Sequence, residues 1–146
     1  MDERPGKSGA QGRVLALDIG AKRVGVAISD ELRITVRALA PIQRGSWKQL
    51  LQRVKDAVSE FDACAMVIGL PLQLNGAEGD AAAKMRGVAD KFRLSLSIPV
   101  HLHDERLTTF AARESLRVAV SDPDEIARRV DSEAAAIILR DFIESD

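Results

Sequence analysis

The sequence predicts an α/β fold: a five-stranded mixed sheet with helices on both faces. Three observations carry this prediction. Residues 13–41 hold three short apolar runs separated by tight turns, the pattern of an antiparallel meander. From Ser46 onward, segments of helical period alternate with short strand-like runs. One of those runs, CAMVIGL at residues 64–70, is continuously apolar, as a strand covered on both faces must be.

The elements follow in order. MDERPGKSGAQG, residues 1–12, has Gly, Pro, Ser and charge but nothing to bury, and is expected to be a disordered arm ahead of one domain over residues 13–146. Arg13–Gly20 is the first strand. Val24–Asp30 is the second, after the short turn Ala21-Lys22-Arg23. Ile34–Pro41 alternates apolar and polar residues and suits the third. Ser46 can cap a helix from Trp47 to about Phe61, because Trp47, Leu50, Leu51, Val54, Ala57, Val58 and Phe61 recur at helical spacing. Cys64–Leu70 is the fourth strand. The loop GLPLQLNG follows, then a helix from Glu78 to about Arg93. Ser97–His103 is the fifth strand, with Pro99 near its start where proline is tolerated. Thr108 or Thr109 caps a helix over Phe110–Val118. Ser121–Arg129 is predicted as a polar connection and Asp131–Ile143 as a closing amphipathic helix. The order is β-β-β-α-β-α-β-α-α. Three antiparallel strands followed by alternating helices and strands give the mixed sheet.

Composition narrows the function. The 146 residues carry a net charge of −1, so any polyanion must be held by a local patch. Four Phe, one Trp and no Tyr leave little for stacking on bases. The single Cys64 excludes an internal disulfide and a thiolate zinc site, and its apolar surroundings predict a buried core thiol. No run approaches the roughly 18 apolar residues of a membrane span. No signal peptide is visible at the start. The expectation is a cytoplasmic protein with no membrane partner.

The chemistry lies in carboxylates at element ends. Asp18 closes an otherwise apolar strand, where an ionised group is costly unless paired or bound to metal. Asp104 and Glu105 follow the fifth strand, and adjacent strand residues face opposite sides, so one of them turns away. Asp131 opens the last helix. Each has a plain alternative: a turn cap for Asp18, pairing with Arg106 or water for Asp104 and Glu105, an N-cap for Asp131. Jointly they could make a hard-oxygen site for Mg²⁺ or Mn²⁺, and two such ions can activate water and stabilise a leaving oxygen in phosphodiester cleavage. His101 and His103 share a face with Glu105. They are candidates for a general-base or metal role or for plain structural histidines, with His103 nearer the acids. In GLPLQLNG, the stretch from Gly69 and Pro71 to Asn75-Gly76 could present backbone N–H groups to phosphate at a helix start. Among the scattered cations, Lys84, Arg86, Arg113 and Arg117 have nothing to mark them out. Arg106, Arg128 and Arg129 adjoin the acids and could hold phosphate oxygens.

The pieces LALDIGAKRVGVAISD, VIGLPLQLNGAEG, HLHDERLTTFAA and VDSEAAAIIL match, in order and spacing, the YqgF/RuvX family over roughly residues 13–144. The resemblance implies an RNase H-like fold related to Holliday-junction resolvases. It implies a divalent-metal-dependent nuclease that processes the 5′ end of pre-16S rRNA or, as a homodimer, resolves branched DNA. By the same resemblance the metal ligands fall on Asp18, on Glu105 in preference to Asp104, and on Asp131. The segment SDPDEIARR departs from the family's strongly basic loop, with three acids beside only Arg128 and Arg129. Two other classes stand beside this one. The DxGxxxxGVA opening is shared with actin-like kinases, although the chain is short for their two lobes. A non-catalytic nucleic-acid-binding module is also compatible with the near-neutral charge.

Overall fold

The computed structural model describes residues 12–73, 75–105 and 123–145, with residues 123–131 described by their backbone. Five strands form one sheet: β1 (Arg13–Ile19), β2 (Arg23–Ser29), β3 (Val36–Gln43), β4 (Ala63–Leu70) and β5 (Val100–Asp104). Their spatial order is β3-β2-β1-β4-β5. The β1–β2 and β2–β3 pairs are antiparallel, whereas β4 lies parallel to β1 and β5 parallel to β4. The sheet is therefore the mixed one the sequence predicts. The C-terminal ends of β1, β4 and β5 all emerge at one edge, where open α/β sheets bind ligands.

Two helices cover one face. Helix α1 (Trp47–Phe61) starts at Ser46 through a capping box: the Ser46 hydroxyl accepts from Gln49 N–H at 3.2 Å, and the Gln49 side chain accepts from Ser46 N–H at 3.1 Å. It ends at Asp62, in the left-handed region at φ 53°. Helix α2 (Asp80–Ser95) packs beside it, with the Trp47 and Phe92 rings edge to face at 4.7 Å. This core gathers Leu15, Leu17, Val26, Met66, Ile68 and Val100 from the sheet. The opposite face belongs to helix α3 (Pro123–Glu144). There Ala135, Ala136, Ile138 and Leu139 lie on Val14, Ala16, Ala27, Ala65 and Val67. The small residues on both sides let helix and sheet approach closely. The two cores fix the faces. Leu15 and Leu17 point to α1 and α2, while Val14 and Ala16 point to α3. By the same alternation Asp18 belongs to the α3 face.

Three expectations are corrected. The last helix begins at Pro123, so most of SDPDEIARR is helical and Asp131 stands two turns inside α3. Pro at the first helical position, with Asp124 and Glu125 in a first turn that favours negative charge, is a start signal stronger than Asp131 as a cap. Cys64 is exposed. Arg13 pairs with Ala63 and Val14 with Ala65, so Cys64 is the extra residue of a β-bulge and is turned out of the core. Pro99 precedes β5, where its carbonyl accepts from Met66 N–H at 2.9 Å. The predicted arm over residues 1–11 and the predicted helix Phe110–Val118 lie outside the described residues. Among the described residues no helix is long and apolar enough to cross a membrane.

Candidate active site

The site is built from two strand ends. β1 carries Asp18 on the α3 face at its C-terminal end. In β5, Val100 and Leu102 pack toward α1 and α2, so Asp104 continues that face and Glu105 turns to the α3 side. Glu105 N–H is held by the Leu70 carbonyl at 3.1 Å, which extends the β4–β5 ladder by one residue and fixes the direction of the side chain. The result brings Glu105, and not Asp104, against Asp18: the two carboxyl groups share a hydrogen bond. Burial, then the bond to Asp18 and the charges of Asp18 and Asp104, push the Glu105 carboxyl from 4.5 up to about 9. Two acids in one desolvated place cannot both ionise without a cation. An all-oxygen donor pair of this kind fits a hard divalent ion.

Gly69 makes the arrangement possible. A Cβ there would stand 2.6 Å from Glu105 Oε1 and 2.7 Å from Ile138 Cδ1. Gly69 pairs with His103 across the β4–β5 ladder, and the Glu105 carboxyl folds over its bare Cα. The sequence marked Gly69 for phosphate contact; its geometry gives it the clearing of space for Glu105. That role depends on cross-strand register, which no local sequence signal reports.

The backbone of Asp131 lies in α3, beside a residue that anchors the helix to the sheet. The next residue, Ser132, is buried, donates to the Leu39 carbonyl at 2.6 Å and accepts from Val26 N–H at 3.4 Å. These bonds pin the helix to β2 and β3 at this level. The side chains of Asp131, Arg128 and Arg129 and all of Arg106 lie outside the described residues. Among the residues whose side chains are described, no three His, Cys, Asp or Glu groups converge, so Asp18 and Glu105 form a two-acid nucleus.

The histidines are tied to α3. His103 Nε2 lies 2.6 Å from Asp141 Oδ2 and packs edge-on against Phe142, which His101 also meets. The loop after β4 leads into its helix later than the sequence predicts. Helix α2 begins at Asp80, four residues beyond Gly76, and its first turn is acidic. Within the loop, Gln73 N–H donates to the Ala77 carbonyl, Gly76 N–H to the Gln73 carbonyl and Ala77 N–H to Asn75 Oδ1. Of the donors assigned to Asn75-Gly76, the Gly76 N–H is thus taken up by the turn, where Gly76 has φ 89°. Pro71 is half-buried beside it.

The fold is RNase H-like, the one shared by RuvC-type resolvases. The RuvC protein of T. thermophilus in complex with a Holliday junction substrate superposes with a TM-score of 0.56 over 92% of this chain and 94% of that chain, at 13% identity. The fowlpox virus Holliday junction resolvase gives 0.54 over 92% and 99%, at 16% identity. The family model RuvX, described as Holliday junction resolvase, matches residues 12–145, and the chain belongs to that family. Relatives named "Putative pre-16S rRNA nuclease" include one from Roseiflexus sp. (strain RS-1), 38% identical over 94% of this chain and 98% of its own length. Another, from Myxococcus xanthus, is 38% identical over 91% and 88%. A resolvase-like nuclease fold with paired acids points to divalent-metal use.

Proposed function

We propose that this protein is a divalent-metal-dependent nuclease whose substrate is the 5′ extension of pre-16S rRNA. The observation that carries the chemistry is the Asp18–Glu105 pair, two carboxyls held against each other by strands of one rigid sheet. The substrate follows the names of relatives that span nearly the whole chain. Asp18, Glu105 and Asp131 would hold Mg²⁺ or Mn²⁺. When bound, a pair of such ions supplies activation of water and neutralisation of the departing oxygen. The protein's own residues prepare the place. Glu105 would bind a cation as the carboxylate, Asp18 would set the second carboxylate opposite it, and Ser132 holds the helix bearing Asp131 at the sheet. Asp104 stays on the other face, where its charge adds to the pressure on Glu105.

The family description favours a second reading, in which a homodimer places two such sites on a four-way DNA junction. One assay separates them. Purified protein is offered a labelled four-way DNA junction and a 5′-extended 16S rRNA precursor, each with Mg²⁺, Mn²⁺ or EDTA, and with Asp18→Asn alongside. The expected outcome is metal-dependent trimming of the rRNA that Asp18→Asn loses. Paired symmetric nicks in the junction with the rRNA untouched would establish the second reading. Cleavage of neither, or cleavage by Asp18→Asn at the wild-type rate, would overturn the first.

A further inference from the structure

The charge of −1 is unevenly placed, and the unevenness lies at the catalytic edge. Residues 19–29 contain Lys22 and Arg23 and no acid. Residues 36–55 contain five cations, Arg37, Arg44, Lys48, Arg53 and Lys55, and no acid. The fold sorts these cations by height. Arg23 pairs with Gln43 across the β2–β3 ladder, so the end of β3, the start of β2 and the end of β1 share the edge where Asp18 lies. Lys22 and Arg44 are exposed there, and so is Lys48 in the first turn of α1, which holds no acid. The opposite edge carries Asp30 and Glu31 in the β2–β3 turn and Glu60 and Asp62 at the end of α1.

The cations are built into the scaffold. The β1–β2 turn closes with Gly20 N–H on the Arg23 carbonyl at 3.0 Å, and a Cβ on Gly20 would meet that carbonyl at 2.9 Å. Arg44 clamps the turn twice. Its N–H donates to the Lys22 carbonyl at 2.9 Å, and Nη1 donates to the Gly20 carbonyl at 2.9 Å. Arg23 stands on the same face as Gly25 and Ala27, which is the α3 face. Gly25 is the ladder partner of Asp18, so Arg23 lies about 7 Å along the strand from the level of that acid. Across the site the loop after β4 offers the reverse: Glu78 is engaged by Arg86, Asp80 is exposed, and the loop N–H groups named above are consumed.

From this polarity we infer that Lys22, Arg23, Arg44 and Lys48 form a shelf for the phosphodiester backbone of a nucleic-acid strand, which enters over the β1–β2 turn and the start of α1. The shelf rests on the nuclease reading for what happens to the strand, but not for its binding. Such a shelf of cations, with the neighbouring Trp47 ring packed on Phe92, reads charge and not base identity.

The test is binding without cleavage. Full-length protein in EDTA is titrated against a fluorescein-labelled 20-bp RNA duplex and, separately, the DNA duplex of the same sequence, at several salt concentrations. The Lys22→Gln/Lys48→Gln variant should weaken binding at least fivefold and lower the slope of log K against log salt by about 1 to 2. Both side chains are exposed, so melting should be unchanged. Lys55→Gln, further along α1, should bind as wild type does. Weakening with both duplexes, or with one, supports the shelf and tells which polymer it receives. Unchanged affinity and slope, an equal loss in Lys55→Gln, or no binding of either duplex by wild type overturns it. Binding that follows this pattern in a protein that cuts nothing would leave the shelf standing and remove the nuclease reading. Cleavage by a protein whose variants bind unaltered would do the reverse.

Discussion

Gly69 and Glu105 contend for one volume at the ends of β4 and β5. A methyl group at residue 69 cannot be placed without moving both the Glu105 carboxyl and the Ile138 side chain, since both stand under 3.0 Å from its position. Both are far ends of side chains that can shift, so Gly69→Ala should fold, at an overpacking cost of about 1–3 kcal/mol. The carboxyl should move away from Asp18, and cleavage should fall roughly 10- to 100-fold, as when groups that orient a metal ligand are altered. Turnover beside a thermal melt checks this; full activity with the fold intact would show that Glu105 can leave its place without consequence. The acids themselves are legible at this scale. Asp18 interrupts an apolar strand, and alternation alone says that one of Asp104 and Glu105 must turn away. Which one turns toward Asp18 is settled by the facing of Val100 and Leu102, and the service of Gly69 by strand register. Neither is a property of neighbouring residues. The Lys22, Arg23 and Arg44 group escapes the sequence for the same reason: 21 positions separate Arg23 from Arg44, and only the β2–β3 pairing joins them.

Helix α3 is attached to the sheet where the sheet is irregular. Val24 pairs with Ile42 and Val26 with Leu39, so Ala40 and Pro41 together stand opposite Gly25. Pro41 brings no N–H to the ladder, and the bulge leaves Val26 N–H and the Leu39 carbonyl without their regular partners. The Ser132 hydroxyl bridges them. Ser132→Ala removes the bridge and strands two backbone groups in a buried place, for a loss of about 1–3 kcal/mol. The melting temperature should drop, and cleavage should decline by more than the unfolded fraction accounts for, because Asp131 is the adjoining residue. A variant that melts lower yet cleaves at the wild-type rate per folded molecule would separate the anchor from the site. Element types were readable from period and caps: the α1 stripe and its Ser46 box are both sequence signals. Element ends were less so. The start at Pro123 competes with an aspartate that looks like a cap, and the Cys64 bulge leaves no mark in a run that is apolar throughout.

The molecule as a whole opposes its own site in the absence of a cation. Glu105 is held protonated up to about pH 9 chiefly by burial, against 4.5 for the ordinary group. Between those values the folded chain binds a proton that the unfolded chain has released. Stability in EDTA should therefore decline as pH rises from about 4.5 to about 9, and be free of this term below that window. Asp18→Asn relieves the pressure, because an amide can donate to an ionised Glu105. At pH 8 in EDTA it should melt at or above the wild-type temperature while cleaving nothing. A divalent ion reverses the order. At a hundred times its Kd it should stabilise wild type by about 2.7 kcal/mol, on the order of 10 °C for a chain of this length. Its apparent affinity should tighten as pH rises toward 9, since the Glu105 proton must leave. Asp18→Asn should show little of that gain. Melting curves of both proteins from pH 5 to 9, with EDTA and with Mn²⁺, decide the matter. A wild type indifferent to Mn²⁺, or an Asp18→Asn protein that melts well below it in EDTA, would mean that the acid pair serves the fold and not a cation. Stability surrendered at the sheet edge and regained on metal binding is what a site costs when selection acts on cleavage.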